Sequence, residues 1–143
     1  MAGRIVVGVD GSDPSVRALR WAARQAELTG AELVAVTGWE FPAWSGLTAE
    51  AATFNPEHLA AQTLTETVTR ALGPGVASTV TQQTVQGRPA EALLARAEGA
   101  DLLVVGARGY TGLKAAVLGS VSLHVVQHSP IPVTVVRGNE DLP

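Results

Sequence analysis

Short apolar runs recur along the chain with amphipathic segments between them, and this alternation limits the fold more than any other feature. Ile5 to Val9, Leu33 to Thr37, Leu102 to Val105 and Val133 to Val136 are rich in β-branched and aliphatic residues. Three of the runs are nearly continuous rather than alternating, as expected of parallel strands covered by helices on both faces. A fifth stretch, Val76 to Gln86, alternates in part and carries many Thr and Gln, which reads as an edge strand.

Helix signals fall between the runs. Asp13 and Pro14 read as N-cap and first helical residue, Val16, Leu19, Ala22 and Ala26 share one face, and Gly30 reads as the C-terminal cap. Asn55 and Pro56 repeat the start signal, Leu64, Val68 and Leu72 follow at four-residue spacing, and Gly73, Pro74 and Gly75 stop the element. A third helix is predicted from about Pro89 to Glu98 and a fourth from about Gly119 to His128. The order β-α-β, a long loop, then α-β-α-β-α-β predicts an α/β fold: a parallel sheet with right-handed crossovers and helices on both faces. A length of 143 residues suits one domain, so the whole chain, 1–143, is expected to fold as a single unit.

Trp39 to Phe54 is the one long irregular segment, and it holds Trp39, Phe41, Trp44 and Phe54. Loops of this length serve as lids or binding loops. An aromatic plug over the core, or a subunit contact, fits the same residues equally well.

Composition removes several classes of function. The net charge is −3, and the ten Lys and Arg residues are scattered rather than gathered into a stripe, so nucleic acid is not an expected partner. The chain has no cysteine, which excludes disulfides and thiolate metal sites and fits a reducing compartment. Met1 to Arg4 lead directly into Ile5 and Val6 with no apolar signal core, so no export signal is expected. Apolar runs fall well short of the roughly 20 residues that a membrane span needs, and the expectation is a soluble, cytoplasmic protein with no membrane partner.

The segment from Gly106 to Ser122 carries the chemistry. It begins where the run Leu102 to Val105 ends, and ligands of open α/β sheets bind beyond the carboxyl ends of strands, where the strand order reverses. Glycines at 106, 109 and 112 are expected to allow positive φ and close backbone approach, and successive N–H groups in such turns form anion-binding nests. Gly119 and Ser120 then open a helix whose first N–H groups lack internal partners and whose dipole favours negative charge. The result is a phosphate cradle, with the Ser120 and Ser122 hydroxyls as further donors. A flexible surface loop with Ser120 as a simple cap fits the glycines alone.

The spacing favours the cradle. Gly106-x-x-Gly109, nine residues, then Gly119-Ser120 resembles the nucleotide-binding signature of the universal stress protein family. Ile5-Val-Val-Gly-Val-Asp10-Gly-Ser12 resembles that family's opening strand and acidic turn, and His128-Ser-Pro-Ile-Pro-Val-Thr-Val-Val136 its closing turn and last strand. The resemblance spans essentially the whole chain. It implies a five-stranded parallel sheet of order 3-2-1-4-5, Rossmann-like and similar to the adenine nucleotide alpha hydrolases, with helices on both faces. It also implies a homodimer, expected through Val133 to Val136, and ATP with Mg2+ as the ligand.

Carried over by position, the resemblance puts Gly8, Val9 and Asp10 beside the adenosine, with Asp10 near the ribose or the magnesium. Val36, at the end of the second strand, would offer backbone hydrogen bonds to the adenine. Gly106, Arg108, Gly109, Gly112, Gly119, Ser120, Val121 and Ser122 would surround the phosphates, mostly through N–H groups. Asp10 also reads as a turn residue whose carboxylate bonds nearby amides, and Arg108 as a solvated loop cation.

Other chemistries lack their motifs. The first strand ends Gly8-Val-Asp10-Gly11, without the glycine fingerprint of a dinucleotide fold, and no Gly-Lys-Ser/Thr ending accompanies Lys114. His124 and His128 stand four apart, but His-Val-Val-Gln-His lacks the glutamate of a zinc protease and reads as a surface or interface pair. Neither Ser12 nor Ser120 sits in a nucleophile elbow. No group to orient an attacking water is named, so a nucleotide-dependent stress or signalling module fits better than an ATPase. An interaction scaffold and a slow or self-phosphorylating ATPase are the alternatives.

Overall fold

A computed structural model describes residues 3–41, 54–107 and 118–138. The elements run β1 (Arg4–Gly8), α1 (Asp13–Thr29), β2 (Glu32–Trp39), α2 (Pro56–Ala77), β3 (Thr81–Gln86), α3 (Pro89–Ala97), β4 (Leu102–Gly106), α4 (Ser120–His128) and β5 (Val133–Val136). The strands form one sheet in the order β3-β2-β1-β4-β5, and every pairing is parallel. The α/β class and the strand order 3-2-1-4-5 are as the sequence and its resemblance imply.

The near-continuous strands have a simple cause, since both faces of the sheet are covered. On one face Ile5, Val7, Leu33 and Ala35 pack with Leu19 and Ala22 of α1 and Leu64 and Val68 of α2. On the other, Val6, Val34 and Leu103 pack with Leu93 and Ala97 of α3 and Val125 of α4. Leu19, Leu64 and Leu103 are fully buried, so truncating any of them to alanine would cost about 2–5 kcal/mol.

Helix starts follow side-chain chemistry. The α1 cap is Ser12 rather than the expected Asp13: its Oγ accepts the Ser15 N–H at 3.3 Å, and Asp13 and Pro14 lie inside the first turn. Both residue types cap well, so the local pattern alone does not separate them. Asn55 caps α2 as expected, its Oδ1 accepting the His58 N–H at 3.0 Å. Gly30 ends α1 in the left-handed region at φ 74°, which costs glycine nothing.

Gly73 breaks α2 as expected, with φ 81° and ψ 159°. The chain then re-enters a short helical stretch from Pro74 to Ala77, so β3 begins at Thr81 instead of within Val76 to Val80. Of the aromatic segment, Trp39 belongs to β2 and meets Phe41 edge-on with ring centroids 5.4 Å apart. Trp44 lies outside the described residues. Among the described residues no helix is long and apolar enough to cross a membrane.

Candidate functional site

From β1 the chain continues to β2 and β3 on one side of the sheet, whereas β4 and β5 lie on the other. The order therefore reverses between β1 and β4, and this is where α/β sheets bind ligands. A cavity of about 280 Å³ opens there, beyond Gly8 and Gly106, the last residues of the two strands. Its inner wall is apolar, from Val36, Gly38, Pro89, Leu93 and Val105. Asp10, Ser15, Gly119, Ser120, Val121 and Ser122 complete the lining. An apolar recess with a few convergent polar groups suits a flat heteroaromatic ring carrying a charged tail.

The turn after β1 is internally bonded. The Asp10 carboxylate accepts the Ser12 N–H at 2.9 Å and the Ser12 hydroxyl, which is the turn-residue reading of Asp10. Val9 is held on both sides: its N–H donates to the Val36 carbonyl at 2.9 Å, and its carbonyl accepts from the Thr37 hydroxyl at 2.8 Å. Arg70 of α2 donates to the Gly11 carbonyl at 3.0 Å and stands 4.0 Å from Asp13, steadying the turn from outside.

These bonds correct the expectation for Val36. It is not the end of β2, which runs on to Trp39, and its carbonyl already serves Val9. What Val36 brings to the cavity is an apolar side chain.

The connection after β4 is different. Ala107 donates to the Val136 carbonyl at 3.0 Å, and Gly119 donates back to the Ala107 carbonyl at 2.8 Å, so the chain on either side of residues 108–117 is tied together. Gly119 caps α4 in extended backbone, with no side-chain cap bond, and the first N–H returned to the helix is that of Leu123, at 2.9 Å to the Gly119 carbonyl. The N–H groups of Ser120, Val121 and Ser122 precede it and have no intrahelical acceptor. They lie at the positive end of the helix dipole, on residues that line the cavity.

Two expectations within this segment need correction. Gly106 does not have positive φ. A Cβ there would sit 2.7 Å from the Pro14 carbonyl oxygen, so glycine is required to let α1 pack on the end of β4. The Ser122 hydroxyl is not turned to the cavity as a donor. It is buried and donates to the Gly106 carbonyl at 2.5 Å. Ser120 is exposed at the rim, whereas Arg108, Gly109 and Gly112 lie outside the described residues.

Of the residues named from sequence, Gly8, Val9, Asp10, Val36, Gly106, Gly119, Ser120, Val121 and Ser122 converge on this cavity. Sequence reasoning missed Ser15, Gly38, Pro89, Leu93 and Val105. Gly38 follows Val36 by the two-residue period of a strand, and Leu93 follows Pro89 by one helical turn, so both were accessible once the neighbouring elements were placed. A Cβ on Gly8 would lie 2.7 Å from Leu93 Cδ1, which shows how closely α3 approaches β1 here.

A model of the universal stress protein family matches residues 1–137. The chain belongs to the universal stress protein family. It is 35% identical over 136 residues to the universal stress protein Rv2623 of Mycobacterium tuberculosis, a match covering 93% of this chain and 44% of that protein. The chain thus spans about half the length of such mycobacterial relatives. Universal stress protein YxiE of Bacillus subtilis is also 35% identical, with 96% of this chain and 100% of that protein covered. Among solved structures, a universal stress protein in complex with cAMP is similar at a TM-score of 0.64 and 31% identity, covering 94% of this chain and 96% of that one.

Proposed function

We propose that this universal stress protein binds ATP in the cavity between β1 and β4 and acts as a nucleotide-dependent stress or signalling module. The observation that carries the reading is the start of α4, which presents three N–H groups without helical acceptors beside an apolar recess. The recess takes the adenine against Val36, Pro89, Leu93 and Val105, and the phosphates meet the first turn of α4. The related structure holding cAMP supports an adenine nucleotide as the ligand class. Gly8, Val9 and Asp10 would flank the adenosine. Arg108, Gly109 and Gly112 complete the phosphate site in this reading.

Mg2+ keeps several waters and is held by phosphates with one or two carboxylates. Among the described residues no three His, Cys, Asp or Glu side chains cluster, and Asp10 is the carboxylate on the cavity wall, a donor set that suits such an ion. The site is read as a binding site and not as a hydrolase, because no residue of the described cavity wall is identified as orienting an attacking water. A slow ATPase would show phosphate release that is lost on changing Asp10.

The working form is proposed to be a cytoplasmic homodimer joined through β5, with residues 1–143 a single domain. The edge position of β5 and the apolar surface of Leu118, Val126, Ile131, Val133 and Val135 beside it support this. Val135 presents its N–H to the free edge of β5, because the alternate residues Pro132 and Val136 bond to β4. Val135→Pro removes that edge donor and is expected to give monomers in light scattering, and an unchanged dimer would refute the β5 interface.

Replacing Gly119 with leucine should lower ATP affinity by about a hundredfold or more in calorimetry while leaving circular dichroism unchanged. Unchanged affinity would remove the phosphate site from α4. A protein that carries no nucleotide and gains no melting temperature with millimolar ATP and Mg2+ would favour the interaction scaffold instead.

A further inference from the structure

His124 and His128 lie one turn apart on α4, and both are exposed. Residues four apart share a helix face, so the two imidazoles project side by side. Their ring centroids are 4.5 Å apart and their planes are inclined by 39°. Neither ring contributes to the apolar clusters or to the nucleotide cavity.

The separation has a chemical meaning. An imidazole nitrogen binds a divalent transition ion at about 2.0–2.1 Å, which places the ring centroid about 3.2 Å from the ion. Two such rings at right angles around one ion have centroids about 4.5 Å apart, and at a tetrahedral angle about 5.2 Å. The observed spacing lets both rings reach a single ion once their nitrogens turn toward it.

We infer that His124 and His128 form a two-nitrogen chelate for a divalent transition ion, on the exposed flank of α4. Among the described residues no third His, Cys, Asp or Glu joins them. Both rings face solvent, so water is available for the remaining coordination positions. This differs from a structural zinc site, which closes four protein ligands around the metal. Bridging His124 to His128 also staples the last turn of a nine-residue helix. The inference is independent of the nucleotide reading, because the pair lies one turn and more beyond Ser120.

The test is calorimetric titration of the full untagged chain with NiCl2 in a non-coordinating buffer, alongside His124→Gln, His128→Gln and His58→Gln. His58 is an exposed histidine on α2 and serves as the control. One Ni2+ per chain is expected, weakened about tenfold or more by either α4 substitution and unchanged by His58→Gln, because the second nitrogen of a chelate binds at high effective concentration. Circular dichroism of the variants checks that α4 remains folded. Absence of binding at about 1 mM Ni2+, or a loss in the α4 variants no larger than in His58→Gln, would overturn the chelate.

Discussion

The turn after β1 and the connection after β4 leave adjacent parallel strands at their carboxyl ends, and each runs into a helix, α1 on one face of the sheet and α4 on the other. In the first, the helix end is closed by the protein itself: Ser12 caps α1, Asp10 holds Ser12, and Arg70 holds Gly11. In the second, the cap is a glycine without a side chain, and the nearby hydroxyl of Ser122 is turned back onto Gly106. The first N–H groups of α4 are left unspent as a result. An anion gains little at α1, whose capped donors would have to be released, and gains directly at α4. In the proposed reading, phosphate selectivity comes from which helix is left without a cap.

Substitutions on the two sides separate these roles. The largest effect is expected at Gly106, where the two turns meet. Gly106→Ala forces a Cβ against the Pro14 backbone and should lower unfolding stability by about 1–3 kcal/mol in urea titration. If the variant kept full stability and lost only ATP affinity, Gly106 would belong to ligand approach and not to the seam between α1 and β4.

Ser12→Ala removes the α1 cap and should cost about 1 kcal/mol of stability, with ATP affinity changed by less than about threefold. A tenfold loss of affinity would move the phosphate site toward α1. The smallest effect is expected from Ser122→Ala. Its hydroxyl serves Gly106, so about 0.5–1.5 kcal/mol of stability is lost and ATP affinity is nearly kept. A variant that kept its stability but bound ATP tenfold more weakly would restore Ser122 as a phosphate donor.

The contrast between the turns also marks what the sequence made legible. Element types followed from the buried strand runs, and β5 has the predicted bounds, Val133 to Val136. The cavity's location followed from strand ends and the α4 start, both of which are local signals. The partner of a hydroxyl is not local. Ser122 reaches a carbonyl sixteen residues away, and Val36 gives its carbonyl to Val9 because β1 and β2 pair in that register. Gly106 has the same lesson: a glycine read as freedom of φ is a glycine demanded by a helix packed on it. The apolar wall from Pro89 and Leu93 belongs to α3, which only the assembled sheet brings to β1.

The most direct measurement is the backbone amide spectrum of the native chain titrated with ATP and Mg2+. The N–H resonances of Ser120, Val121 and Ser122 are expected to move most on saturation, while those of Ser12 and Ser15, which keep their own acceptors beside the cavity, move less. Movement of the Ser12 and Ser15 amides with Ser120 to Ser122 unchanged would contradict the assignment of the phosphates to α4.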